Sequence, residues 1–118
     1  MENLDKQFNS FTKYKQGWMN GEGLAFSANE LLWLNEKFDA NYGKDLLPPA
    51  VFPTLEGGVQ FEWTKPNHDV SLKVNLNDRT GYLHYSTITR EVVEFNYNLD
   101  QSSEWELLNV FLSSNFTK

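Results

Sequence analysis

The sequence predicts an α+β domain with two N-terminal helices, a four- or five-stranded antiparallel meander and a C-terminal helix, the helices lying on one face of the sheet. Three observations predict it. Apolar residues recur at helical spacing only near the two ends of the chain. Four segments between them, "VQFEW", "VSLKVNL", "YLHYSTI" and "VVEFNYNL", alternate apolar and polar residues with period two. Those segments are joined by turn-forming clusters such as "KPNHD" and "NDRTG", as a meander requires.

In "LDKQFNSFTKYKQG", Leu4, Phe8 and Phe11 fall at i, i+4 and i+7, which predicts a first amphipathic helix ending at Gly17. "GWMNGEGLAF" follows, too rich in glycine for regular structure, and Trp18 is expected to plug the core from this loop. A capping box formed by Ser27 and Glu30 then opens a second helix from Ala28 to Tyr42, with Gly43 as its stop. Leu31, Leu34, Phe38 and Tyr42 form its buried stripe, while Glu30, Lys37 and Asn41 face water. Trp33 lies off that stripe, and packing against the first helix is expected for it ahead of a role as an interface anchor.

"LLPPAVFPT" contains three prolines, which remove donors and fix φ, so it is expected to run extended as a sheet edge. Gly57 and Gly58 then turn the chain into the first long strand. After the meander, Ser103 and Glu106 make a second capping box for a helix whose stripe is Trp105, Leu108, Phe111 and Leu112.

In an antiparallel sheet the register must keep one face apolar throughout. Pairing Phe61 with Leu72, Val74 with Tyr85 and Tyr85 with Phe95 puts Val59, Trp63, Val70, Leu76, Leu83, Val93 and Tyr97 on one inner side. Gln60, Glu62, Ser71, Lys73, Asn75, His84, Ser86, Glu94 and Asn96 then form a polar outer face.

The 118 residues suit a single domain, 1–118, and nine Phe, five Tyr and four Trp suffice for a core without metal or disulfide. With no cysteine, disulfides, thiolate metal sites and a cysteine nucleophile are excluded. A net charge of −6 opposes nonspecific nucleic-acid binding, unless one face concentrates the lysines, and suits solubility or a basic partner. No stretch approaches the roughly 18 apolar residues of a membrane span, and the opening segment has no signal-peptide pattern, so a cytoplasmic address is expected.

"GWMNGEGLAFSANEL", "PAVFPTLEGGVQFEW" and "DVSLKV" together resemble a group of small bacterial proteins with a Trp-x-Gly-x-Gly loop followed by a Pro-Thr-x-x-Gly-Gly-x-Gln-x-Glu-Trp strand. Trp18, Gly21, Gly23, Pro53, Thr54, Gly57, Gly58, Gln60, Glu62 and Trp63 carry the resemblance, which spans Trp18 to Val74. Met19 and Asn20 depart from the loop's usual spacing, and Lys73 stands where an acid is expected. The resemblance implies a bacterial cytosolic domain, with neighbours of the mobile or defence type, and brings no known activity.

The residues themselves offer little chemistry. His68 and Asp69 are expected in a turn, and with only His84 besides, a metal site built from two or more histidines is excluded. Glu62 and Glu94 are separated by two strands, about 14 Å at a spacing of ~4.8 Å, too far to share an ion. No nucleophile elbow, phosphate loop or dinucleotide fingerprint is present. No metal, cofactor or catalytic residue is expected.

Two readings remain. The first is a non-catalytic protein-binding or regulatory module, antitoxin- or immunity-like, that engages a protein partner through Gln60, Glu62, Lys73, His84, Glu94 and Asn96 or through the proline-rich edge; a homodimer stays open. The second is a small enzyme or ligand binder in which Glu62, Lys73 and His84 form an acid/base cluster. In the expected register Lys73 sits opposite Gln60 and Ser86.

Overall fold

The computed structural model describes residues 2–118, with side chains from residue 6 onward, so the expected packing of Leu4 lies outside the described residues. The chain runs α1 (Glu2–Phe11), α2 (Ala28–Asn41), β1 (Ala50–Pro53), β2 (Val59–Lys65), β3 (His68–Asn75), β4 (Thr80–Thr87), β5 (Val92–Asn98) and α3 (Ser102–Ser113). The strands form one antiparallel sheet in the order β1-β2-β3-β4-β5. Each is hydrogen-bonded to its neighbour in sequence, because every connection within the meander is too short to cross another strand.

The proline-rich segment does form an edge. Its four paired residues end at Pro53, and Val51 lies against Phe61. Between β1 and β2, Thr54 closes the turn: its carbonyl accepts from the Gly57 N–H at 3.1 Å, and its hydroxyl accepts from the Gly58 N–H at 2.9 Å. Gly57 has φ of 78°, which a side chain resists. At Gly58 a Cβ would overlap the Val74 carbonyl oxygen, so the backbone approach itself requires glycine.

Phe61 pairs with Leu72 as expected, but the next two registers differ. Tyr85 lies opposite Val70 and Val93, and Val74 lies opposite Gly81. The slips are even numbers of residues, so each side chain keeps its expected face. Val59, Phe61, Trp63, Val70, Leu72, Val74 and Leu83 are each at most 3% exposed. Helix side chains meet this face directly: Phe8 of α1 and Phe38 of α2 pack on Phe61, with ring centroids 6.5 and 5.3 Å away. Phe111 of α3 sits edge-on to Tyr85 and Phe95, at 5.5 Å from each.

Several local expectations are corrected. The first helix stops at Phe11, six residues before Gly17. Near its end the Ser10 and Thr12 hydroxyls donate to the carbonyls three residues earlier, competing with the helical pattern. Tyr14 then turns to stack on Trp18 at 4.7 Å. Trp18 is half-buried in a satellite cluster with Tyr14 and Phe26, outside the main core.

The second helix begins as expected, with Ser27 Oγ accepting from the Glu30 N–H at 3.3 Å. Its end is not a left-handed glycine cap. Tyr42 turns extended, and Asn109 of α3 serves the terminus, donating to the Asn41 carbonyl at 2.7 Å and accepting from the Gly43 N–H at 3.1 Å.

The third helix starts earlier than its sequence pattern suggests. Gln101 is its N-cap without a side-chain bond, and Ser103 lies inside the first turn. Trp105 fixes the entry, its indole donating to the Leu99 carbonyl at 2.8 Å.

Trp33 finds its partners away from the first helix. Its indole donates to Asp100 at 3.1 Å, and the Arg79 guanidinium lies 4.8 Å from the ring centroid. The same guanidinium grips Glu30 through two nitrogens at 2.9 and 3.2 Å, so Glu30 is partly buried instead of solvated. That grip pushes the Arg79 pKa further above its ordinary value.

Candidate functional site

The residues expected on the polar face do share it, and the register arranges all but Asn75 and Ser86 in two lateral rows. One row runs Phe52, Gln60, Lys73, Tyr82 and Asn96; the next runs Ala50, Glu62, Ser71, His84 and Glu94. Lys73 therefore faces Gln60 and Tyr82, and the expected neighbour Ser86 lies opposite Asp69. The four-residue slip in the β3–β4 register accounts for the exchange.

The position of His84 is set by the hydrogen-bond alternation of β4 and β5. Leu99 N–H bonds to Arg79 O at 2.9 Å and Thr87 N–H to Glu91 O at 3.1 Å, at opposite ends of the ladder. Odd-numbered residues of β5 therefore exchange bonds with β4, and His84 with Glu94 is a pair not joined through the main chain. Cα atoms of such pairs lie closer than those of bonded pairs, so His84 and Glu94 face each other directly across the two strands. Tyr82 with Asn96 is a pair of the same kind. The Tyr82 hydroxyl reaches diagonally to Glu94, and that hydrogen bond pushes the phenol pKa up.

Glu62 is held as well, since Gln60 Nε2 donates to its Oε1 at 2.8 Å. A shallow depression of about 240 Å³ opens over the middle of the face, lined by Glu62, Asp69, Ser71 and His84 among others. Acidic side chains outnumber basic ones here: Glu62, Asp69 and Glu94 share the face with Lys73. No hydrogen bond joins Ser71 Oγ to His84 among the described residues, as an activated nucleophile would require. Nor does any group of three or more His, Asp or Glu among the described residues have the geometry to hold a metal ion.

His68 lies elsewhere. It is the first residue of β3 instead of a turn residue, and the turn is made by Pro66 and Asn67, the latter at φ of 73°. The His68 ring stacks on Tyr85 on the helix side of the sheet, with Nδ1 2.7 Å from the Tyr85 hydroxyl.

A second hollow, about 410 Å³, adjoins the Lys73 end of the face and is lined by Thr54, Gly57, Gly58, Lys73, Tyr82 and Asn96 among others. The loop around Gly23 and the turn at Thr54–Gly58 meet at its rim. Leu24 N–H donates to the Leu55 carbonyl at 2.7 Å, and a Cβ at Gly57 would lie 3.1 Å from the Ala25 carbonyl oxygen. Gly23, at φ of 96°, lies flat under Trp18, whose indole donates to the Leu24 carbonyl at 2.9 Å.

Sequence reasoning did not single out Tyr82, Asp69 or Phe52 as members of the face. Period-two alternation was the available signal for all three, since each shares parity with Gln60, Lys73 or His84 on its own or the neighbouring strand. No helix among the described residues is long and apolar enough to cross a membrane. No family model, curated protein or solved structure matches the chain.

Proposed function

We propose that the chain is a protein-binding module without catalytic turnover, and that its uncovered sheet face, centred on the row Glu62, Ser71, His84 and Glu94, receives a basic partner. The observation that carries this reading is the face itself: five strands are packed by helices on one side and present ordered polar side chains on the other. Gln60 holds Glu62 and Tyr82 holds Glu94, so the acidic groups are positioned before any partner arrives. Preorganised side chains lose less conformational freedom on binding. The net charge of −6 steers a cationic surface toward them.

The resemblance of residues 18–74 to small bacterial proteins supports a bacterial cytosolic setting, in which an antitoxin, immunity or other regulatory role fits such a surface. Lys73, at the hollow beside Gly57 and Gly58, gives the partner's contact a single cationic point within an acidic field.

Affinity capture from host extract, followed by mass spectrometry, tests the reading. A stoichiometric basic partner is expected, lost in the double variant Glu62→Lys, Glu94→Lys while the far-UV spectrum stays unchanged. Binding should also weaken as salt is raised, because the Debye length falls to about 8 Å at physiological ionic strength. A partner that binds the double variant equally well removes this face from consideration and turns attention to the β1 edge.

The alternative is a small enzyme or ligand binder using Glu62, Lys73 and His84. The depression lined by Glu62, Ser71 and His84 favours it. Turnover in a phosphatase, esterase or nuclease panel, lost on His84→Ala, would establish it.

A further inference from the structure

The sheet has two edges, and they are built differently. β1 is four residues long, ends on Pro53 and follows Pro48 and Pro49, all of which discourage strand addition. β5 is seven residues long, reads VVEFNYN, and contains no proline, glycine or lysine. Because its odd-numbered residues bond to β4, the N–H and C=O groups of Val92, Glu94 and Asn96 point away from the sheet. At Asn98 both outward groups are used within the chain, the N–H by Glu104 Oε1 at 3.3 Å and the carbonyl by the Gln101 N–H at 3.1 Å, so the open part of the edge is Val92 to Asn96.

Apolar surface flanks this edge on the helix side. Phe95 is 42% exposed, although it packs on Phe111. On α3, Leu107 and Val110 are 56% and 68% exposed. Leu107 stands one helical turn before both Val110 and Phe111, so the two exposed side chains continue the ridge that Phe111 lays on Phe95. An open edge bordered by an apolar seam is the arrangement that a further strand with its own apolar side would complete.

We infer that the occupant is a second copy of this chain, with β5 pairing antiparallel to β5 of the partner about a two-fold axis at Phe95. Three features select this register. Phe95 is the middle residue of Val92–Asn98, so the two strands overlap along their full length. Glu94 then faces Asn96 of the other copy, Val93 faces Tyr97, and Phe95 faces itself, so apolar meets apolar on the helix side, while on the open side each carboxylate faces an amide and Val92 faces Asn98.

The third feature is the main chain: Glu94 N–H meets an Asn96 carbonyl and Asn96 N–H a Glu94 carbonyl, each with its symmetry mate, while the groups of Asn98, already bonded within the chain, are not needed. Centring on Glu94 would set two carboxylates opposite each other. The paired sheets join into one, with the α3 seams of Leu107 and Val110 adjoining across the axis. This pairing leaves Glu62 and His84 exposed and stands independently of the binding proposed for the polar face.

Sedimentation equilibrium with hydrogen exchange tests it. The wild-type protein is expected to reach twice its 13.7 kDa chain mass as concentration rises. The amides of Glu94 and Asn96 should become protected over the same range. Added salt should strengthen the dimer, since each copy carries −6 and screening lowers their repulsion. Asn96→Pro removes an outward N–H that makes no hydrogen bond among the described residues, and should return the mass to that of one chain without loss of far-UV signal.

If Asn96→Pro fails to fold, Val110→Glu on the exposed face of α3 decides, with dissociation at least about tenfold stronger expected, a difference of ~1.4 kcal/mol. A wild type that stays at one chain mass overturns the inference. So does a dimer whose β5 amides exchange freely, one that persists in folded Asn96→Pro, or one indifferent to Val110→Glu.

Discussion

The same strands build two surfaces with opposite behaviour. Along β2, Val59, Phe61 and Trp63 are 0%, 0% and 3% exposed, while Gln60 and Glu62 between them are half-buried and tied to each other. On the helix side, the polar atoms of the aromatic core are tied inside the protein: the Trp63 indole donates to Tyr42 Oη at 2.8 Å, and the Tyr42 hydroxyl donates to the Leu47 carbonyl. On the open side, Gln60 bonds along its own strand to Glu62, and Tyr82 reaches diagonally to Glu94. The difference teaches that the inner face answers to packing and is intolerant of change, whereas the outer face answers to charge and can be rewritten without unfolding the protein.

The largest expected effect comes from emptying the inner face. Trp63→Ala should destabilise the fold by about 3 to 5 kcal/mol in a urea titration, since losing a large buried ring leaves a cavity and takes away the donor to the Tyr42 hydroxyl. A loss below about 1 kcal/mol would break the contrast.

The next effect is titration. Burial pushes Tyr42 up to about 12 against its Trp63 hydrogen bond, and burial together with the Glu104 charge pushes Tyr97 up to about 12. A phenol whose folded pKa lies above its unfolded value of 10.0 contributes its full stability below pH 10 and loses it as pH rises toward 12. The melting temperature is therefore expected to hold up to about pH 10 and to fall above it. Tyr42→Phe should remove part of that alkaline decline, with Tyr97 supplying the remainder. A melting temperature flat from about pH 9 to about pH 12 would show that neither ring is shielded.

The smallest effect belongs to the outer face. Glu62→Ala should cost under about 1 kcal/mol by the same urea titration, because it removes one half-exposed hydrogen bond from Gln60. A loss matching that of Trp63→Ala would mean that the two faces are not distinct.

The face assignments are legible in the sequence because pleating depends only on odd or even position. The expected pairing of Val74 with Tyr85 is four residues from the observed one, and that of Tyr85 with Phe95 is two, yet no side chain changes sides. Register itself is not legible, since alternation repeats every two residues and several even offsets satisfy it. It matters at the site: the observed offset sets His84 between Ser71 and Glu94 and gives Lys73 the neighbour Tyr82.

Helix ends are legible only where a local side chain decides them, as Ser27 does. The end of α2 is fixed by Asn109, far along the chain, and the start of α3 at Gln101 has no side-chain bond for a local pattern to reveal. The partners of Trp33 escape a sequence reading for a similar reason, since Arg79 and Asp100 lie far along the chain.

The cap that Asn109 places on α2 also bears on the order of folding. The meander joins each strand to the next through a short loop, so its hairpins close at small entropic cost. The Asn109 bonds to Asn41 and Gly43 instead span 68 and 66 residues, and form only when α3 has docked. The rate-limiting step is therefore expected to contain the β3–β4 hairpin but not the finished end of α2. Leu83→Ala should slow refolding, whereas Asn109→Ala should leave the refolding limb of the chevron in place and speed unfolding. Asn109 would then govern how long a folded molecule lasts, and leave the speed at which it forms to the sheet.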